Sequence, residues 1–482
     1  MKISVKEYKE KYPNIIFITV DCLRFDHLSF TGYPINTSPN IDKICKCYNA
    51  ICVPATSSAP YTKASFKSIM TGFLPFTKGG YHTIKGLPTL PTVLRRHGFF
   101  TIGVPNHAIF LANGYKQIFN YFLTPEFRTE KSMAMKQIES TIMRFPPKIR
   151  MSVYFFGLLF EYLKRRGPPY AQADQITKTI ITFINKLQHR KVPIFIWAHF
   201  MDVHYPYFPP DDIFYEIFEE KNHDLLSLMT YTQILQKIIY DSEMKRNIIY
   251  YAQKLYDSSI RFVDHNIGIL MDYLERSGLV DETILIITAD HGEEFLEHGA
   301  FGHTGRNFFT HMYEELLRVP LIVLVPKDWR PKIKMQRQPT ISSVDIFPTI
   351  LELLRVNEKI SCDGKPLHEL LKASNNERLI FAEASLYNKE RGTIVIPPDE
   401  RVTIAMKFGE WKYIFYETRN RKDELYNLRL DPAEQTNLID EKRDLAEFVR
   451  NNIIYTRLKY IKRQLLRQRI LSLRRKRGVR VG

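Results

Sequence analysis

The sequence predicts an α/β fold, a large mixed, mostly parallel sheet sandwiched by helices, with a smaller C-terminal α+β subdomain. Three observations carry that expectation. Short apolar runs of strand length alternate with helical patterns from Asn14 to about Leu354, the rhythm of a sheet covered on both faces. Two of those runs finish in a carboxylate. Ile15 to Val20 ends in Asp21, and Ile284 to Ile287 leads into Thr288-Ala289-Asp290-His291-Gly292-Glu293; the carboxyl ends of strands are where open α/β sheets bind ligands. After about Ala373 the texture changes to short runs broken by turn residues, which reads as antiparallel pairing.

The elements follow in chain order. The run Ile15 to Val20 is a buried strand because it is continuously apolar and short. Pro91 to His97 begins a helix that Gly98 ends, and Phe99 to Val104 is the next strand. Ile194 to Ala198 and Val319 to Val325 are further strands, and Asp345 to Leu354 has the spacing of an amphipathic helix. Phe408 to Tyr416 and Leu425 to Leu428 are short antiparallel strands, and Asp431-Pro432 marks a turn. The expected division is residues 1–373, residues 374–445 and a basic helical tail, 446–482. Between 110 and 188 the pattern loosens around Pro146-Pro147, Pro168-Pro169 and the apolar run Met151 to Phe160. That run is too short for a bilayer. It reads as a buried helix in an insertion, the alternatives being a cap over the site and an interfacial helix.

Composition narrows the function classes. The chain has 482 residues, too many for one small core. Met1 to Pro13 is polar, and no stretch offers the roughly 18 apolar residues of a membrane span. Five cysteines, Cys22, Cys45, Cys47, Cys52 and Cys362, are odd in number and scattered. They read as unpaired, which suits a cytoplasmic location. Cys45-Lys46-Cys47 lacks the second pair of a structural zinc site. Net charge is +17, from 69 Lys and Arg against 52 Asp and Glu. Eleven of the basic residues lie between Arg457 and Arg480, where there is no acid. Leu458, Ile461, Leu465 and Leu466 recur there at helical spacing. Such a helix lies on anionic lipid or binds another polyanion, giving a peripheral membrane location as the second expectation. The competing reading is a solvated tail. No motif specific for nucleic acid is present.

Asp21 and Asp290 at one sheet edge, with His291 beside the second, offer oxygen and imidazole ligands together. That set suits one divalent ion, Zn or Mn ahead of Ca or Mg. The competing reading is that both aspartates cap helices. A nucleophile is needed nearby, and Pro60 to Gly72 contains Thr62 where a helix begins.

The chain resembles the sulfatase family of the alkaline phosphatase superfamily over nearly all of its length up to about Asp440. The matching pieces are Val20 to His27, Thr62 to Pro75, Met201 to Tyr207, Asp290 to Gly299, Tyr313 to Pro320, Ser343 to Thr349, and Glu424 to Leu428 with Asp431-Pro432. Their shared order makes the resemblance specific. True sulfatases carry a Cys or Ser that becomes formylglycine, followed by x-Pro-x-Arg, with Thr-Gly nine and ten residues on. Counting back from Thr71-Gly72 puts Thr62 there, with Ala64 in place of the Pro and Phe66 in place of the Arg. Cys52-Val53-Pro54-Ala55-Thr56 is a decoy at the wrong distance. Cys22 stands where the family has a second aspartate, and reads as a buried spectator.

The resemblance implies a metal held by Asp21, Thr62, Asp290 and His291. It also implies catalytic roles for Thr62, His204 and His303, with His311 the rival of His303. Asn106, Asp202 and His311 are candidates to bind substrate, and His298 to support the site. The implied activity is metal-dependent hydrolysis of a phosphate mono- or diester, or of a sulfate ester, by a phosphodiesterase-like member with a threonine nucleophile. The alternatives are a sulfatase in the strict sense, a phosphoglycerol- or phosphoethanolamine-type transferase acting on a glycan or lipid, and a degenerate member that binds a polyanion or membrane. The implied partner is an anionic ester, glycan- or lipid-linked substrates included.

Overall fold

A computed structural model describes residues 12–80, 84–107, 109–112, 114–123, 170–190, 192–218, 242–303, 311–327, 340–356, 358–372, 378–385, 401–418 and 421–476. The apolar run Met151 to Phe160 lies outside these, as does most of the expected insertion.

The main sheet has eight strands in the order β10-β2-β9-β6-β1-β5-β3-β4. They are β1 (Asn14–Val20), β2 (Ile51–Thr56), β3 (Phe100–Val104), β4 (Tyr121–Phe122), β5 (Ile194–Phe200), β6 (Thr283–Ala289), β9 (Arg318–Leu324) and β10 (Ile341–Ser342). All neighbours are parallel except those of β9, which runs against both β2 and β6. The sheet is therefore mixed and mostly parallel, as expected. Every residue of β5 and β6 is buried. Strands covered on both faces need no polar alternation, which is why they read as continuous apolar runs.

Helices α1 (Pro39–Cys47), α2 (Thr62–Thr71), α3 (Leu90–Arg96), α4 (Ala173–Leu187), α5 (Ser242–Arg276), α6 (Glu314–Leu317) and α7 (Ile346–Leu353) accompany the sheet. α5 packs on α1 and α4, while α2 packs on α3 and α7, forming two separate layers. Between Asp290 and α6 a small hairpin, β7 (Glu294–Phe295) with β8 (Phe301–Gly302), projects from the end of β6.

A second, antiparallel sheet follows in the order β11-β12-β13-β14: Ile380–Ser385, Val402–Phe408, Trp411–Tyr416 and Glu424–Asn427. The expected strand Phe408 to Tyr416 is instead the end of β12, a turn at Gly409-Glu410, and β13. Gly409 sits at φ +57, where a side chain would be strained.

Two further expectations are corrected. Cys45 and Cys52, read as unpaired, form a disulfide, because α1 returns directly into β2 and brings their Cα atoms to 5.9 Å. The cysteine count therefore no longer argues for a reducing compartment. The tail forms α8 (Tyr455–Lys476), and of its four apolar residues Leu458, Ile461 and Leu465 face the protein rather than lipid or solvent, while Leu466 is exposed. Leu458, Ile461 and Leu465 join a core cluster with Ala59, Ala64 and Phe76. Arg457 pairs with the fully buried Glu383 and donates to Thr77 Oγ1 at 3.0 Å. Among the described residues no helix is long and apolar enough to cross a membrane.

Candidate active site and metal centre

Register builds the site. Val20 pairs with Phe200 on one side and Ala289 on the other, so Asp21 and Asp290 leave neighbouring strands at the same level. The Asp21 amide donates to the Phe200 carbonyl at 2.9 Å, fixing the turn. α2 is tied to the same point: Ser65 Oγ donates to the Asp290 carbonyl at 2.6 Å, and Ser57 donates to that oxygen as well. Thr62, the first residue of α2, is thereby held with Oγ1 3.2 Å from His291 Nε2 and 3.5 Å from Asp21 Oδ2.

The tautomer of His291 follows from its partner. Nδ1 lies 2.8 Å from the Gly292 carbonyl, which can only accept. Nδ1 therefore carries the proton and Nε2 presents a lone pair. Burial and the neighbouring His303 push the ring's pKa down to about 3, so it is neutral. That lone pair faces Asp21 Oδ1 and Asp290 Oδ2, each at 3.5 Å. Asp290 Oδ2 is buried with no hydrogen-bond partner. Burial, and then the Asp21 charge, drive the Asp290 carboxyl well above its usual range. Burial also opposes the charge on Asp21, but His204, His199 and His291 outweigh it and hold that carboxyl well below its usual range.

Three acceptors converge here without a donor among them. Separations of 3.5 Å are too long for hydrogen bonds, and they match the ~3.4 Å between ligands of one tetrahedral ion at ~2.1 Å bond lengths. The donor set of Asp21, Asp290 and His291 fits a divalent cation.

His199 was not singled out in the sequence, and it orients this set. Its Nε2 is 3.2 Å from Asp21 Oδ2, and its Nδ1 is 2.9 Å from Thr19 Oγ1. A second imidazole partner of a ligating carboxylate fixes its direction. Glu293 was missed as well. It is buried, takes the Tyr207 hydroxyl at 3.2 Å, and accepts from His303 Nδ1 at 3.0 Å. Either residue was legible only in three dimensions, since His199 lies inside an apolar strand and Glu293 looks like an ordinary turn residue.

The other candidates divide. His303 stands over the cluster, its ring centroid 4.5 Å from that of His291 and 5.1 Å from that of His204. His204 donates Nδ1 to the Tyr205 carbonyl, and burial lowers its pKa. Cys22 Sγ donates to Asp21 Oδ1 at 3.2 Å; burial and Glu293 push the thiol pKa well up, so it stays protonated. His311 instead pairs with Glu294 at 2.7 Å, in the layer beyond the hairpin, and His298 stacks on Tyr313. His311 therefore does not compete with His303 for the site.

Two substrate-binding expectations are corrected. Asn106 spends both ends of its amide on Ala171, donating to the carbonyl at 2.6 Å and accepting from the amide at 2.9 Å. Asp202 accepts from the Ala173 amide at 3.1 Å, at the start of α4. Each is a local fastening that sequence spacing could not separate from a ligand contact.

Two positive residues near the site, Arg24 and Lys67, are occupied elsewhere. Arg24 is held by Asp26, Glu297 and the Glu293 carbonyl. Lys67 Nζ donates to the carbonyls of Pro75, Thr77 and Gly80 at 3.0, 2.6 and 2.7 Å. Burial drives the Lys67 pKa down to about 7, opposed by three carbonyl acceptors that are the complement of an ammonium.

Comparison with known proteins agrees with this frame. An arylsulfatase of Clostridium perfringens is 23% identical over 483 residues, covering 92% of this chain and 94% of that one. A structure solved in complex with its substrate D-glucosamine-2-N,6-O-disulfate superposes with a TM-score of 0.65 at 18% identity, covering 94% of this chain and 98% of the other. A phosphonate monoester hydrolase of Agrobacterium radiobacter gives 0.63 at 17%, covering 94% and 96%. At such identities the two structures show a shared fold. The C-terminal profile of N-sulphoglucosamine sulphohydrolase matches residues 297–462. The Sulfatase profile matches residues 13–356, well over half of the sequence, and the chain belongs to the sulfatase family.

Proposed function

We propose that this protein is a metal-dependent ester hydrolase in which Thr62 attacks the central atom of a phosphate or phosphonate ester. The observation that carries the reading is the Thr62 hydroxyl, buried at the start of α2 and 3.2 Å from His291 Nε2. A threonine cannot become formylglycine. The hydrate of that aldehyde has a second hydroxyl whose collapse expels sulfate. A threonine ester has no such exit, so water must cleave it at the central atom, a route open to phosphorus esters and slow for sulfuric ones.

Asp21, Asp290 and His291 would hold the cation, with Thr62 beside them. Mn and Zn are favoured over Ca and Mg for a mixed oxygen and imidazole set. When bound it supplies Lewis-acid stabilisation of the anionic oxygens and lowers the pKa of the nucleophilic hydroxyl. The rest falls to side chains. Thr62 Oγ forms the bond to phosphorus as the bond to the leaving oxygen breaks. His303, its imidazolium stabilised by Glu293, gives that oxygen a proton. His204, its Nδ1 committed to the Tyr205 carbonyl, has Nε2 unprotonated in the neutral ring and can take up the proton lost by Thr62. Water, giving a proton back to His303, then attacks phosphorus of the Thr62 ester; the phosphate or phosphonate leaves and Thr62 regains its proton from His204.

Sulfate hydrolysis is the second reading, favoured by the match along most of the chain to the Clostridium arylsulfatase. A panel of p-nitrophenyl phosphate, bis-p-nitrophenyl phosphate, a phosphonate monoester and p-nitrophenyl sulfate, each with Mn, Zn, Mg and Ca, tests the choice. Faster turnover of the sulfate ester than of every phosphorus ester rules out the first reading.

A further inference from the structure

The structure gives α8 two faces. Successive residues turn by about 100°, at 3.6 per turn. Arg457, Leu458, Ile461 and Leu465 lie on one side and are taken up by Glu383 and the core cluster. Lys459, Arg463, Leu466, Arg467 and Ile470 fall within an arc of about 100° on the other side. All five are exposed, Leu466 at 51% and Ile470 at 44%. Lys459, Arg463 and Arg467 have no carboxylate partner among the described residues. Lys462, at the margin, is already neutralised by Glu417 at 2.7 Å. The sequence then continues with Arg474, Arg475, Lys476, Arg477 and Arg480, without an acid.

We propose that this outer face of α8 docks the protein on an anionic lipid surface. Charge complementarity selects an anionic partner, because three unpaired cations share one helical face. The two apolar residues select lipid over a soluble polyanion. Leu466 and Ile470 sit among the cations rather than apart from them, so a bilayer can take the side chains into its acyl boundary while the headgroups meet Lys459, Arg463 and Arg467. A sulfated glycan would leave both in water. The inner stripe plays no part, since the protein already covers it. The inference does not depend on which ester the active site hydrolyses.

Flotation of the full-length protein with vesicles tests it, using phosphatidylcholine alone and phosphatidylcholine mixed with phosphatidylglycerol, with heparin binding measured in parallel. The wild type floats with the anionic vesicles only, and rising salt releases it. A K459Q/R463Q/R467Q variant binds those vesicles roughly 100-fold more weakly, at about a fivefold loss for each cation. A Leu466→Gln and Ile470→Gln variant also loses vesicle binding while its heparin affinity is unchanged. Both variants keep wild-type ester turnover and melting temperature, since every altered side chain is exposed and lies on the side of α8 turned away from the cluster with Ala59 and Ala64. The proposal is overturned if the wild type does not float with anionic vesicles, or if the charge variant floats as well as the wild type. It is also overturned if the Leu466 and Ile470 substitutions leave vesicle binding intact, which would make the face a site for soluble polyanions.

Discussion

Ser65 donates its hydroxyl to the backbone carbonyl of Asp290 at 2.6 Å, so the residue that offers a carboxylate to the metal centre also anchors the helix that carries the nucleophile. Ser65→Ala should shift Thr62 without removing any ligand. Loss of one buried hydrogen bond costs about 1–3 kcal/mol. The expected result is a lower melting temperature and a kcat reduced about tenfold, with metal content by mass spectrometry unchanged. Wild-type kcat in this variant would separate the anchor from catalysis.

Thr62→Ala should abolish turnover by at least about 10³-fold, as expected for loss of a nucleophile, while stability and metal content stay near wild type. Thr62→Ser restores part of the rate. Rapid quench of the wild type with a phosphorus ester should trap phosphate on Thr62, detectable by peptide mass spectrometry. Phosphate found elsewhere in the chain would remove Thr62 from its proposed role.

Asp290→Asn should release the metal and stop turnover. The change also removes the like-charge contact with Asp21, so the apo variant should melt at or above the temperature of the apo wild type. Metal analysis and calorimetry before and after chelation check both halves. Full metal occupancy in the variant would refute the assigned ligand set.

Asp202 supplies a pH signature. Burial raises its pKa to about 7 from an unfolded value of 3.8. A folded pKa above the unfolded one means that the native state holds the proton more tightly. The contribution to stability is complete below about pH 4 and is lost as pH rises through about 7. Asp202→Asn keeps the oxygen that accepts from Ala173 and cannot ionise. It should therefore be more stable than wild type at pH 8, by about 2–4 kcal/mol as an upper bound, with the difference vanishing near pH 4. Denaturation midpoints across that range give the answer; parallel curves would contradict the raised pKa.

Truncation after Asp440 should not yield an active core. It removes Val449, Ile454, Ile461 and Leu465 from the cluster shared with Ala59 and Ala64, and strips Arg457 from buried Glu383. Ile461→Ala alone should cost about 2–5 kcal/mol. Arg457→Ala leaves an unpaired buried charge and should cost about 3–5 kcal/mol. A soluble truncated protein with normal turnover would show that these contacts are dispensable.

What was legible in the sequence followed from physics that acts locally. β1, β5 and β6 are buried on both faces, so their apolar runs stood out, and the carboxylates that follow β1 and β6 pointed to one edge. β2 does not stand out in the sequence, since Pro54 argues against a central strand. In the structure Pro54 lies opposite Pro320 of β9, a rung at which two residues without amide protons face each other. The reversal of β9 cannot be read from composition at all. Asn106 and Asp202 misled because a polar side chain after a strand looks the same whether it meets a ligand or a neighbouring backbone amide. The tail was legible in part: its helical pattern showed in the sequence, but the pattern does not say that Leu458, Ile461 and Leu465 are covered by the rest of the chain while Leu466 stays exposed.

Glu293 and Glu294 are consecutive, yet they face opposite ways. The first carboxylate is bound to His303 and Tyr207, the second to His311 and to the amides of His298 and Ala300. Two compartments thus share a single peptide bond as their wall. Gaining or losing one residue at that point would swap the two acids, sending the carboxylate that braces the hairpin into the site and the site's own partner out of it. This short segment should accept changes of side chain far more readily than any change of length, and its spacing would be preserved even in relatives whose chemistry has diverged.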